Sequence, residues 1–180
     1  MSFSQLDRKA KHEIEIMVKK VLEIEDGLGA FYKRDFLVHK RWSVALFEGD
    51  FRDKDDSIAQ GLAKKGISRI FCGGLADYMT DWYQINPEDG DLKDVRNKYF
   101  EPSYFITDKF NEFCIVSDSD YYWALASRRD NIANIFNVDL EKSLLRMREN
   151  VAPLLRDSAD SDYKTGKMLQ KYLKICESVN

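Results

Sequence analysis

Three short runs of β-branched and aromatic residues between Tyr104 and Ser127 constrain the fold more than any other part of the sequence. The runs are Tyr-Phe-Ile-Thr, Phe-Cys-Ile-Val-Ser and Tyr-Tyr-Trp-Ala-Leu-Ala, and short polar turns separate them. This composition is typical of β-strands, and the short connections predict an antiparallel meander. The middle run, Phe113–Ser117, is apolar on both sides of the pleat. We therefore expect a central sheet that is covered on both faces.

Helical patterns flank the meander on both sides. Apolar residues recur at intervals of three and four in Leu6–Glu25, Leu140–Val151 and Tyr163–Ser178, which predicts three amphipathic helices. Further strands are predicted at Phe36–Val38, Trp42–Phe47, Ile67–Cys72 and Trp82–Ile85. A helix between the second and third of these strands could make them one parallel crossover. The expected fold class is α+β: a central, mostly antiparallel sheet with a meander, packed by N-terminal and C-terminal helices.

The length of 180 residues predicts a single α+β domain over residues 1–180, in which residues 156–180 can form a helical appendage. The three cysteines, Cys72, Cys114 and Cys176, are widely spaced and belong to no CxxC or Cys/His cluster. We therefore expect reduced thiols and neither a metal nor a cofactor. The sequence has no secretory signal and no apolar run of membrane-spanning length. A cytoplasmic location without membrane contact is the resulting expectation.

Acidic residues are grouped in blocks that fall at predicted strand ends and turns. The net charge of −3 is mild, and it argues against a nucleic-acid partner because such proteins usually carry a basic excess. If several acidic turns share one rim of the sheet, they form a negative patch that can dock a basic protein. Aromatic residues beside the acids are typical of interface anchors. The predicted partner-binding residues are Glu48, Asp50, Phe51, Asp53, Asp118, Asp120 and Tyr121. Ordinary turn polarity, with the aromatic rings turned inward, is the alternative.

An enzymatic site is a second hypothesis. The sequence contains no GxSxG, Walker A, GxGxxG or HExxH motif. Cys72 precedes Gly73-Gly74 at a predicted strand end, where a nucleophile of a hydrolase or transferase could lie. His39 could serve as its base, and Asp77 or Asp81 could orient that histidine. The same residues also fit a buried core cysteine and helix-capping aspartates.

The segment from Phe113 to Phe136 resembles a theme among small bacterial immunity proteins. It combines Phe-Cys-Ile-Val-Ser, the acidic turn Asp118-Ser-Asp120, the run Tyr121–Ser127 and a short helix that ends in Asn-Ile-Phe. These immunity proteins are cytoplasmic antidotes to secreted polymorphic toxins, including those of contact-dependent growth inhibition. The resemblance implies a non-enzymatic protein that binds one cognate toxin domain and blocks its active site. A regulatory or structural subunit, monomeric or a small homo-oligomer built through the end helices, remains a further alternative.

Overall fold

A computed structural model describes residues 3–25, 29–48, 55–75, 81–87, 103–117, 122–156 and 162–180. The strands are β1 (Ser4–Gln5), β2 (Leu22–Glu25), β3 (Gly29–Tyr32), β4 (Ser43–Glu48), β5 (Ile70–Gly74), β6 (Trp82–Ile85), β7 (Tyr104–Thr107), β8 (Phe113–Ser117) and β9 (Tyr122–Ser127). The helices are α1 (Arg8–Val21), α2 (Arg34–Lys40), α3 (Asp55–Lys64), α4 (Arg129–Asn134), α5 (Leu140–Leu154) and α6 (Tyr163–Val179). The predicted α+β class is confirmed. None of the described helices is both long and apolar enough to cross a membrane.

Seven strands form one sheet in the order β1-β6-β5-β7-β8-β9-β4, and every described pair in it is antiparallel. The predicted meander is confirmed as β7-β8-β9, in which Ile115 lies opposite both Ile106 and Leu125. The predicted parallel crossover is wrong. β4 pairs with β9 at one edge, whereas β5 lies between β6 and β7 on the far side of the meander. The chain around α3 therefore spans the meander instead of joining neighbouring strands.

The first predicted helix is shorter than its periodicity indicates. It begins after Asp7, whose carboxylate accepts a hydrogen bond from the Ala10 N–H, and it ends at Val21. Residues Leu22–Glu25 continue as β2 and form a separate hairpin with β3. Their Leu-Glu-Ile-Glu alternation fits a strand as well as a helix end, and pairing with β3 decides between the two. The hairpin packs on α6, where the Phe31 and Tyr172 rings lie 4.8 Å apart.

The predicted strand at Phe36–Val38 is also wrong, because these residues lie in α2. A run of three apolar residues does not distinguish a strand from a buried helical turn. Here Leu37 is fully buried while Val38 is exposed, so one face of the helix contacts the core. The Phe36 ring meets the rings of Trp42 and Phe110 edge-on, which fixes α2 against the β7–β8 connection.

The core forms around the central strands, as the sequence predicts. Every residue of β5, β7 and β8 is buried, so both faces of this part of the sheet are covered. The buried Tyr32 hydroxyl lies 2.9 Å from the Cys114 carbonyl oxygen and 3.0 Å from that of Ala124, and it donates its hydrogen between them. Burial raises the pKa of Tyr32, so the phenol remains a donor. This bond joins the small hairpin to the middle of the meander.

Side chains from two helices close the β4 edge of the sheet. The Val44 N–H donates to the Asn180 side-chain oxygen over 3.1 Å, and the Asn180 amide nitrogen donates to the Val44 carbonyl over 3.1 Å. Two residues on, the Leu46 N–H donates to the Ser143 hydroxyl over 3.0 Å, and that hydroxyl donates to the Leu46 carbonyl. Both strand residues are buried. The N–H and carbonyl groups of Val44 and Leu46 are thus satisfied within the chain, which hinders pairing of this edge with a further strand.

The strand register defines two ends of the sheet. The upper end consists of the strand termini that pair near the β8–β9 connection: Glu48, Gly74, Tyr104, Ser117 and Tyr122. The lower end consists of the opposite termini: Ser43, Ile70, Thr107, Phe113 and Ser127.

Candidate functional site

Most of the predicted partner-binding residues lie outside the described residues. These are Asp50, Phe51, Asp53, Asp118, Asp120 and Tyr121. The backbone of Glu48 is described, and it ends β4 at the upper end of the sheet. The structure therefore bears on this site through the strand residues from which the two acidic segments start.

The strand residues that flank these two segments are direct neighbours. Glu48, which precedes residues 49–54, is paired with Tyr122, which follows residues 118–121. Ser117, at the other side of the short connection, pairs with Trp123. Adjacent strands in a sheet lie about 4.8 Å apart. An acidic patch requires that the two acidic segments begin at the same rim of the sheet. The pairing of their flanking residues fulfils this requirement.

An aromatic pair lies directly behind this part of the rim. Phe47 and Trp123 are cross-strand partners, and their rings stack with centroids 3.9 Å apart and planes 15° from parallel. Trp123 is buried and Phe47 is half-buried. Stacked aromatic pairs hold two strands in a defined register. The stacked pair therefore helps to hold the ends of β4 and β9 in register.

The residues of the enzymatic hypothesis are not assembled into an accessible site in the described part of the chain. Cys72 is fully buried within β5, between Tyr83 of β6 and Ile106 of β7. His39 is exposed near the end of α2, and Asp81 is exposed just before β6. Asp77 lies outside the described residues. No group of three His, Cys, Asp or Glu side chains that could hold a metal ion occurs among the described residues.

The other two cysteines are also buried and form no disulfide. Burial raises the pKa of the Cys114 thiol and that of the Cys176 thiol. A raised pKa keeps a thiol protonated and therefore weakly nucleophilic. Gly73 has a structural role: a Cβ at this position would lie 2.5 Å from a ring carbon of its cross-strand partner Trp82. Close packing against the indole accounts for this glycine without a bound phosphate.

The lower end of the sheet holds a polar cluster that the sequence pattern does not indicate. The Glu112 carboxylate accepts hydrogen bonds from the Asn131 side chain at 2.8 Å and from Arg128 at 2.6 Å. The Ser127 hydroxyl donates to the Glu112 backbone carbonyl. Burial raises the pKa of Glu112, but these two donors outweigh burial, and the pKa lies below its usual value. Glu112 is thus an ionised anchor between the β7–β8 connection and α4.

Replacing Glu112 with glutamine should remove an acid-range contribution to stability. Because folding lowers the pKa of this carboxyl, its ionised form stabilises the fold above its unfolded pKa, about 4.3, and the contribution disappears as pH falls through the folded pKa. Urea unfolding of both proteins from about pH 3 to pH 7 should show a difference in unfolding free energy that is constant near neutrality and shrinks in acid. A difference that grows in acid would contradict this assignment.

The matched control for that experiment is Glu141→Gln. This change breaks the ion pair between Glu141 and Arg129, whose side chains are 82% and 57% exposed. Exposed ion pairs contribute little to stability, so the unfolding free energy should change by less than about 0.5 kcal/mol.

No family model, curated protein or solved structure compared with this chain matches it.

Proposed function

We propose that this protein is a cytoplasmic binding protein that neutralises a cognate toxin domain by covering its active site with the acidic segments at the upper end of the sheet. The observation that carries the proposal is the pairing of Glu48 with Tyr122. It makes the starting points of the two acidic segments neighbours. Two short segments that begin at one place can present their carboxylates to one partner surface.

The charges in these segments favour a basic partner. Residues 49–54 contain Asp50 and Asp53, and residues 118–121 contain Asp118 and Asp120. Acidic groups on one rim attract a basic cleft and raise the rate of productive encounter. Many toxins that immunity proteins oppose are nucleases with basic clefts, and carboxylates could occupy the positions of substrate phosphates there. Phe51 and Tyr121, in the same segments, would supply apolar contact area.

The rest of the described structure suits a scaffold for such contacts. The stacked Phe47 and Trp123 rings and the closed β4 edge hold β4 and β9 in register beside the two acidic segments. Because β4 is closed by Asn180 and Ser143, we place partner recognition at the end of the sheet and not at this edge.

The alternative hypotheses receive less support from the geometry. A hydrolase or transferase built on Cys72 would require an accessible thiol, and this thiol is fully buried. A subunit that oligomerises through its end helices would need a free apolar face on α1 or α6. On α6, five apolar residues are buried: Met168, Leu169, Tyr172, Leu173 and Cys176. On α1, Ile14, Val18 and Val21 are buried, and Ile16 is exposed.

We expect the partner to be a toxin domain encoded beside this gene, and neutralising the four aspartates together should weaken that complex. The variant carries Asp50→Asn, Asp53→Asn, Asp118→Asn and Asp120→Asn. We expect titration calorimetry in low salt to show a loss of affinity on the order of 100-fold, because several charge pairs are lost together. Added salt should weaken the wild-type complex much more than the variant complex.

A second quadruple variant with the same charge change serves as the control. It carries Glu13→Gln, Glu23→Gln, Asp35→Asn and Glu149→Gln, all at exposed positions outside the two acidic segments. We expect its affinity to remain within about threefold of wild type, since distant surface charges act only through the screened field. Unchanged affinity in the first variant, or equal losses in both, would refute the acidic-rim mechanism.

A further inference from the structure

We propose that the lower end of the sheet is a second binding surface, which takes the phosphate backbone of a nucleic-acid duplex. Its exposed cations come from four separate parts of the chain: Arg41, the group Lys64, Lys65 and Arg69, Lys109, and the pair Arg128 and Arg129. We call these seven residues the basic end. This proposal is independent of the toxin-binding function.

The strand register is what brings these residues together. Arg41 lies just before β4, Arg69 just before β5, and Arg128 just after β9. Lys109 lies in the connection between β7 and β8. All four positions adjoin the lower termini, which are mutually paired through Phe71–Thr107, Phe113–Ser127 and Ser43–Ser127. Lys65 is close enough to Glu112 to help lower its pKa, which places the end of α3 at the same surface.

The acidic residues at this end do not neutralise the cluster. Asp108 is buried, and its carboxylate accepts hydrogen bonds from the N–H groups of Asn111, Glu112 and Phe113, so it faces the turn. The Glu112 carboxylate pairs with Arg128, and the Glu141 carboxylate pairs with Arg129. Asp130 accepts from the Asn131 N–H. Among the described residues, Arg41, Lys64, Lys65, Arg69 and Lys109 have no ion-pair partner.

The β7–β8 connection holds Lys109 outward by an unusual backbone. Lys109 and Phe110 both have positive φ, 66° and 64°, a conformation that side-chain-bearing residues rarely adopt. The Phe110 N–H donates to the Thr107 hydroxyl, and Lys40 donates to the Phe110 carbonyl. Phe110 is buried while Lys109 is exposed. Backbone strain of this kind concentrates at functional positions, where the surrounding contacts enforce it.

The dimensions and the chemistry fit a duplex better than a single strand. The strands from β5 to β4 span four inter-strand spacings, or about 19 Å. A DNA duplex carries one negative charge per roughly 1.7 Å, so it offers more phosphates over this length than the surface has cations. Single-strand binding uses exposed aromatic platforms. At this end the rings of Phe71, Phe110 and Trp42 are buried, and the Phe36 ring that packs against the last two is half-buried.

The net charge of the chain conceals this arrangement. The net charge of −3 predicts no nucleic-acid partner. That value is a sum over the whole surface, however, and does not show where the charges lie. A ligand responds to the local potential, which is set by the groups within about 10 Å of it. The basic end presents seven exposed cations beside three exposed or half-buried carboxylates: Glu112, which pairs with Arg128, Glu141, which pairs with Arg129, and Asp130.

Fluorescence anisotropy with a labelled 20-base-pair DNA duplex, and with an RNA duplex of the same length, tests this surface. We expect wild-type dissociation constants on the order of 10⁻⁴ to 10⁻⁶ M that rise steeply with salt. The triple variant Lys64→Glu, Lys65→Glu and Arg69→Glu should bind at least about tenfold more weakly. The slope of its log affinity against log salt concentration should decrease by the amount expected for about three lost phosphate contacts. The control Lys9→Glu, Lys19→Glu and Lys20→Glu has the same charge change on the exposed face of α1 and should retain wild-type binding.

A second variant, Arg41→Glu with Lys109→Glu, changes the same surface from other elements and should also weaken binding if the triple variant fails to fold. No measurable duplex binding by wild type at about 50 mM salt would overturn the proposal. Equal losses in the surface variants and the control variant would do the same, since they indicate a response to net charge alone. Capture of polyglutamate in place of either duplex would reassign the surface to an acidic protein.

Discussion

Replacing Gly61 with alanine should destabilise the fold by about 2–3 kcal/mol, although the same change stabilises most helices. Gly61 lies in the middle of α3, where alanine is normally preferred by about 1 kcal/mol because it restricts the unfolded chain. Here α3 passes against the end of α4. A Cβ at this position would lie deep inside the contact distance of the Ile135 carbonyl oxygen and 2.9 Å from its carbonyl carbon.

We expect a decrease in stability because the added Cβ would meet backbone atoms of Ile135. A flexible side chain can turn away from an added methyl group, whereas the Ile135 backbone cannot move without shifting α4. α4 carries Asn131, which holds Glu112, so the shift would reach the lower end of the sheet. Urea unfolding measures the destabilisation directly.

Gly66→Asn is the matched control for this experiment. Gly66 has φ of 71°, and nothing lies within 4 Å of where its Cβ would be. Asparagine tolerates the left-handed conformation, so we expect a loss of no more than about 1 kcal/mol. A Gly61→Ala protein as stable as wild type would mean that α3 does not approach Ile135 this closely.

The fold class could be predicted from local patterns because its central part is local. The meander strands follow each other with short connections, and each has the β-branched and aromatic composition of a buried strand. The pairing of β4 with β9 is different, since α3 and the four strands β5 to β8 separate these partners in the described chain. Nothing in either strand specifies the other, and the parallel crossover was the local alternative. The helix prediction for Leu22–Glu25 was wrong for the same reason. The helical period of apolar residues continues through this segment, and only its pairing with Gly29–Tyr32 makes it a strand.

The candidate sites depend still more on long-range register. The sequence indicated acidic turns, but whether they share a rim depends on Glu48 lying opposite Tyr122. Basic residues such as Lys65, Lys109 and Arg128 are isolated in the sequence and become neighbours only at the lower end of the sheet. The sequence signal that could have located them is the accumulation of Lys and Arg just after helices and at strand boundaries. That signal is weak, because cations at helix C-termini also stabilise the helix itself.

Removing the polar side chains that close β4 should lower the free energy of unfolding more than removing other surface hydroxyl or amide groups does. Asn180→Ala leaves the N–H and carbonyl of Val44 without partners, and Ser143→Ala does the same to Leu46. Both strand residues are buried, and an unsatisfied buried backbone group costs about 1–3 kcal/mol. We expect each single variant to lose an amount in this range in urea unfolding and the double variant to lose roughly the sum.

Two comparisons separate edge closure from ordinary loss of contacts. Ser178→Ala removes an exposed hydroxyl near the end of α6 that donates to the Ile175 carbonyl within the same helix, and it should change stability by less than about 0.5 kcal/mol. Asn180→Asp keeps the size and the acceptor for the Val44 N–H but removes the donor. It should be as destabilising as Asn180→Ala near neutral pH, and its deficit relative to wild type should narrow below about pH 4, where a protonated carboxyl can donate.

Exposure of the β4 edge should also be visible in exchange and association. Hydrogen exchange at the Val44 and Leu46 amides should accelerate in the double variant, while the amide of Ile115, in the middle of β8, stays protected. Light scattering should then show self-association, because an open strand edge pairs with a second copy. A monomeric double variant with unchanged exchange at Val44 would mean that helix packing alone closes the edge. In the expected case, the two side chains keep β4 from pairing and leave the ends of the sheet as the surfaces that partners can reach.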